Sequence, residues 1–151
     1  MGYVQKMGLR VLNNESSQLI AVIINYHNEY AEDLLSDPFY GKILGAIEER
    51  LRLHGYYMMF YASSDMDDIF KMVMSWDVDG VITITFSRRD CEKIYHKIHK
   101  PVVSIDSHGI PEPGMAVANI GLDDERGGYL MAKYLIERGY ETIYVLSLIH
   151  I

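Results

Sequence analysis

The feature that most constrains this chain is Leu19-Ile20-Ala21-Val22-Ile23-Ile24, an apolar run with no polar interruption. A strand with one wet face alternates apolar and polar residues. A short run without alternation reads instead as a strand covered on both faces, the place that parallel sheets give their inner strands. Parallel neighbours need long crossover segments, and the sequence supplies them. A polar loop runs from Asn25 to Ser36, and Asp37-Pro38 then opens a helix: Asp caps free amides and Pro is tolerated in a first turn. Ile43, Ala46, Ile47, Arg50, Leu51 and His54 recur at helical spacing until Gly55 ends the run.

The alternation continues. Tyr56 to Ala62 reads as a second strand, and Met66 to Trp76 as a helix with Ile69, Phe70, Val73 and Met74 on its inward stripe. Val81 to Ile84 is a third strand, Arg88 to His99 a helix amphipathic through Cys91, Ile94, Tyr95 and Ile98, and Pro101 to Ile105 a fourth strand. Gly109 to Gly114, with two prolines, is a loop; Ala116 to Ile120 is extended; Asp123 to Arg138 is a helix closed by Gly139; and Ile143 to Leu146 begins another strand. Strands and helices in this order predict an α/β fold: a doubly wound, mostly parallel sheet with helices on both faces.

With 151 residues, 49% of them hydrophobic, the chain suits one domain with a real core. A formal net charge of -7 repels phosphate backbones and argues against nucleic-acid binding by these residues themselves. The lone Cys91 permits no internal disulfide, suits a reducing cytoplasm and reads as a half-buried helix residue. The first twelve residues lack the apolar stretch of a signal peptide, and no run is long enough to span a bilayer.

In an open parallel sheet, ligands sit beyond the carboxyl ends of the strands. The loops there are Asn25–Ser36, Ser63–Asp65, Thr85–Arg89 and Asp106–Gly114, with Tyr26, Tyr30, Phe39, Tyr40 and Phe86 nearby. Polar groups mixed with aromatic faces suit a polyhydroxylated ligand such as a sugar. Enzyme patterns are missing: no Gly-rich phosphate loop follows the first strand, and there is no G-x-S-x-G elbow or P-loop lysine. A phosphoacceptor receiver would need acids where Asn25 and Thr85 stand. His96 and His99 share a helix face but lack a third metal ligand, and Asp65, Asp67 and Asp68 fit a helix start better than a calcium loop. No metal or cofactor is expected.

Several stretches carry a family pattern. Asp123-Asp124-Glu125-Arg126-Gly127-Gly128, continuing through Ala132 to Tyr134-Leu135-Ile136-Glu137-Arg138-Gly139-Tyr140, resembles D-x-x-x-G-G-x-x-A-x-x-x-L-I-x-x-G-H of LacI/GalR-type bacterial transcription regulators, with Tyr140 in place of the usual His. Val78-Asp79-Gly80-Val81-Ile82 resembles that family's V-D-G-I-I, Pro101 to Asp106 its P-V-V-x-I-D, and Asp37-Pro38-Phe39-Tyr40 its N-P-F-F. Gly2 through Leu12 resembles the segment joining a DNA-reading headpiece to the sensor.

The resemblance implies the N-terminal lobe of an effector-binding domain of periplasmic-binding-protein-like type I. Residues 1–17 would be a hinge remnant of a missing helix-turn-helix headpiece, 18–147 the lobe, and 148–151 a non-native tail. It implies Asp37, Phe39, Thr85, Ser87, Asp106 and Arg126 as ligand contacts, with Arg10 and Leu12 as hinge residues toward DNA. The implied partners are a small-molecule effector, a sugar by preference, operator DNA through the headpiece, and a second copy of the full-length protein. The implied location is the cytoplasm, with no membrane association and no catalysis. The alternative reading is an extracytoplasmic sugar-binding protein of a transporter, which uses the same fold.

Overall fold

The computed structural model describes residues 16–26, 37–107 and 113–146. In chain order the elements are β1 (Leu19–Ile24), α1 (Pro38–Leu53), β2 (Tyr57–Ala62), α2 (Met66–Ser75), β3 (Gly80–Ile84), α3 (Arg88–Ile98), β4 (Val102–Ile105), β5 (Val117–Ile120) and α4 (Asp124–Glu137). The strands form one sheet in the order β2-β1-β3-β4-β5, and every neighbouring pair is parallel. From β1 the chain steps outward to β2, then crosses back over β1 to β3. The doubly wound α/β sheet expected from the apolar runs is present.

Alternation of side chains along β1 divides the core. Leu19, Ala21 and Ile23 join Val81 of β3 and Val102 of β4 against Ile69 and Val73 of α2 and Cys91 and Ile94 of α3. Val22 and Ile24 join Ile84 on the other face, against Leu44 of α1, with Ile43 and Ile47 partly buried beside it. Burying a residue of this size contributes about 1.5–3 kcal/mol. Covering β1 on both faces therefore accounts for its unbroken apolar sequence.

Local signals set the helix ends. The Asp37 carboxylate accepts the Phe39 amide at 2.8 Å, and Asp65 accepts those of Asp67 at 2.8 Å and Asp68 at 3.4 Å. Gly55, at φ 77°, lets the chain leave α1 in the left-handed region, with the Tyr56 amide returning to the Leu51 carbonyl at 2.9 Å.

At the opposite end of the sheet from the helix starts, Asp79 holds the entry to β1. Its carboxylate accepts the Ser16 hydroxyl and the amides of Ser17 (3.2 Å) and Gln18 (2.8 Å). Partial burial works against its ionisation, but these bonds and the charge of Lys100 outweigh it and hold the carboxyl below its ordinary value.

Three local expectations are corrected. Met74 is 58% exposed rather than inward, because Ile69 and Val73 already fill the α2 side of the core. Cys91 is fully buried, with its Sγ 3.4 Å from the Thr83 hydroxyl, rather than half-buried. Ile143 to Leu146 forms no strand: the segment is irregular and exposed, and it has no ladder partner among the described residues. Apolar β-branched character favours a strand only where an edge is available to pair with.

Contacts divide the chain into two compact units between Gly121 and Leu122, so residues 18–147 span both. The second unit contains α4, whose amide at Arg126 is capped by the Asp123 carboxylate at 3.1 Å and which has no buried residue. The suggested hinge residues Arg10 and Leu12, and residues 148–151, lie outside the described residues. Among the described residues, no helix is long and apolar enough to cross a membrane.

Candidate functional site

The reversal of strand order at β1 opens a crevice between the carboxyl ends of β1 and β3, where the connections leave in opposite directions. The register places Ala62, Ile24, Ile84, Ile105 and Ile120 in one row across the sheet. The residues that follow them, Ser63, Asn25, Thr85, Asp106 and Gly121, therefore form a rim. Neighbouring strands in such a row lie about 4.8 Å apart.

Backbone bonds carry the sheet pattern into this rim. The amides of Ser63, Asn25, Thr85 and Asp106 donate to the carbonyls of Ile24 (3.1 Å), Ile84 (3.1 Å), Ile105 (3.2 Å) and Ile120 (3.0 Å). Each step ties one strand end to the next.

Thr85 and Asp106 then turn away in the left-handed region, at φ 62° and 57°. Such angles are uncommon outside glycine and costly for a β-branched residue, and they concentrate at functional sites. At Thr85 the turn is held from both sides. The Asn25 amide group donates to the Thr85 carbonyl at 3.2 Å, and the Thr85 hydroxyl lies 3.2 Å from the Asn25 carbonyl and 2.6 Å from that of Ile84. The turn sends Phe86 into the core and brings Ser87 to the start of α3.

Ser87 caps α3 by accepting the Asp90 amide at 3.2 Å, and its hydroxyl donates to the Asp90 carboxylate at 2.7 Å. Burial opposes ionisation of Asp90, but the bonds from Lys93 and Ser87, with the charges of Lys93 and Arg89, hold its carboxyl below the ordinary value. On the other face of the sheet, Asp37 and Phe39 begin α1 at this same end. Phe39 is 51% exposed and meets Tyr40 edge-on at 5.4 Å.

Five of the six suggested ligand contacts, Asp37, Phe39, Thr85, Ser87 and Asp106, thus lie at one end of one sheet, with Thr85 and Asp106 on adjacent strands. Arg126 belongs to the second unit and is described only within it. The sequence marks Asn25 as the first residue of the loop after β1 but gives it no role of its own; its hydrogen bond to the Thr85 carbonyl supplies one. Asn119 accepts the Ser107 amide at 2.9 Å and so ties the loop behind Asp106 to β5; nothing in its local sequence marks it. Among the described residues no group of three or more His, Cys, Asp or Glu side chains could hold a metal ion.

Residues 30–150 match the family of periplasmic binding proteins and the sugar-binding domain of the LacI family. The chain belongs to this family. Its resemblance to LacI/GalR-type regulators, first seen in short motifs, thus extends over most of the sequence, and the family is one of ligand-binding domains.

Across 149 residues the chain is 28% identical to the HTH-type transcriptional regulator DegA of Bacillus subtilis (strain 168), covering 95% of this chain and 42% of that protein. Solved structures share the fold. The transcriptional regulator CelR–cellobiose complex superposes with a TM-score of 0.65 at 22% identity, over 82% of this chain and 38% of that one. The lac repressor dimer bound to operator and the anti-inducer ONPF gives 0.66 at 17% identity, over 92% and 41%. The chain therefore spans about two-fifths of the length of these relatives.

Proposed function

We propose that this chain is the effector-sensing part of a cytoplasmic LacI/GalR-type transcription regulator, binding a sugar or related small metabolite to control operator binding. The observation that carries the reading is the 28% identity to a named HTH-type regulator across 95% of the chain. Phe39 offers an exposed aromatic face for a sugar ring, while Asp37, Thr85, Ser87 and Asp106 offer polar groups at the carboxyl end of the sheet. Operator DNA would be read by a headpiece joined through residues 1–17, with Arg10 and Leu12 near the duplex, in a homodimer of the full-length protein.

No bond in the ligand need be made or broken. The output is a shift between two arrangements of the protein, and the ligand acts only through its unequal affinity for them. Such coupling is typically about 1–3 kcal/mol. The test uses the natural full-length protein and DNA from the promoter of its own gene, titrated by fluorescence anisotropy with and without a panel of neutral sugars. The expected result is specific DNA binding whose affinity changes about 5- to 150-fold when the effector is present. Sugar binding by a protein with no specific DNA affinity would instead support the extracytoplasmic transport reading.

A further inference from the structure

We propose that Asp79 is a positioning residue for operator binding: its carboxylate clamps residues 16–18, where the linker toward a DNA-reading headpiece enters the first unit, and so fixes the direction in which that linker leaves. The inference rests on the regulator reading and goes beyond it, because the contact lies at the end of the sheet opposite the candidate ligand rim.

The first residues of a domain ordinarily fray unless something ties them down. Here the chain is tied before the β1 ladder is under way. The Ser17 amide donates to one Asp79 oxygen at 3.2 Å, while the Gln18 amide, at 2.8 Å, and the Ser16 hydroxyl donate to the other. The Ser16 oxygen also accepts the Gln18 amide at 3.1 Å, and the buried Ser17 hydroxyl accepts the Leu19 amide at 3.3 Å. Both neighbouring strands add backbone bonds: the Tyr57 amide donates to the Gln18 carbonyl at 2.7 Å, and the Asp79 amide to the Leu19 carbonyl at 2.9 Å.

The clamp holds against resistance. Gln18 sits in the left-handed region at φ 57°, a conformation that persists only where the surroundings enforce it. Partial burial opposes the charge of Asp79, yet its hydrogen bonds and Lys100 keep the carboxyl ionised at neutral pH. Next to it, a Cβ on Gly80 would stand 3.4 Å from both the Ile20 side chain and the Pro101 carbonyl, so close packing seats the segment that carries the carboxylate. A strand entry that frays at the surface needs none of this, because water can serve its amides.

Specific operator binding requires the headpiece to meet its site in one orientation. With the clamp intact, residues 16–18 are ordered beforehand. Without it, their backbone freedom must be given up on binding, which weakens specific affinity by about tenfold. Non-specific attraction to phosphates tolerates any orientation and is unaffected.

The test titrates the natural full-length protein, by fluorescence anisotropy, against DNA from the promoter of its own gene and against a random duplex of equal length at the same salt concentration. Asp79→Ala should bind the promoter about tenfold more weakly, and Ser16→Ala, which removes one bond of the clamp, about threefold, with the random duplex bound as before. Ile69→Val, which weakens the core of the same unit to a similar extent, should bind the promoter normally. Undiminished promoter affinity in Asp79→Ala, or an equal loss in Ile69→Val, overturns the positioning role while the regulator reading stands. If Asp79→Ala fails to fold, Ser16→Ala decides: undiminished promoter affinity overturns the role, and a loss confined to the promoter supports it. If the natural protein does not distinguish its promoter from the random duplex, the regulator reading falls, and this inference with it.

Discussion

Thr85 adopts a backbone angle that its own side chain disfavours, and two neighbouring strands hold it there. Replacing it with glycine removes the clash between a β-branched side chain and a left-handed turn, a strain of about 1–3 kcal/mol, partly offset by the entropy that glycine adds to the unfolded chain. Thr85→Gly should therefore raise the melting temperature by a few degrees in calorimetry and weaken effector binding several-fold in titration. A lower melting temperature would mean that the lost hydroxyl bonds and the added chain entropy outweigh the strain at this turn.

Asp79 carries a different signature. A carboxyl whose value is lowered by folding stabilises the protein fully above the ordinary carboxylate range, near about pH 4, and loses that contribution as pH falls through the lowered value. Acid unfolding should thus begin later in Asp79→Ala relative to its own neutral stability. At neutral pH that variant should be less stable by about 0.5–1.5 kcal/mol, having lost a partly exposed acceptor for Ser16, Ser17 and Gln18. Circular-dichroism melts across pH would show both. Residues such as Asp37 could be read from sequence because a cap acts within a few positions of itself. Asn25 could not, since its partner Thr85 is 60 residues away.

Among the elements of the first unit, the three helices and β1 to β4 were legible from apolar patterns bounded by local stop signals, whereas Ala116 to Ile120 read only as extended and pairs as β5. Errors came where pattern outran available space. On α2 the same periodicity marked Ile69 and Met74, yet Ile69 is fully buried and Met74 is 58% exposed. Ile69→Ala should cost about 2–5 kcal/mol in denaturant melts, and Met74→Ala less than about 0.5 kcal/mol. Comparable losses at both positions would contradict the burial described here. Ile143 to Leu146 carried the β-branched character of a strand without a paired edge, and pairing depends on residues distant in the chain.

For the molecule as a whole, the doubly wound sheet was readable from the order of runs, and with it which loops share the carboxyl end of the strands. The division at Gly121 was not, because nothing in α4 distinguishes a helix that covers a sheet from one belonging to a separate unit; both show an apolar stripe. The rim of the first unit is a backbone staircase, in which Ser63, Asn25, Thr85 and Asp106 each lean on the strand beside them. Its genetic consequence is epistasis. Paired substitutions at Asn25 and Thr85 should depart from additivity by more than about 0.5 kcal/mol in a double-mutant cycle, whereas Asp79, at the far end of β3, should combine with either as an independent change. Evolution along this lip would then proceed by compensated pairs, and its permitted variants would come as matched sets rather than as single letters.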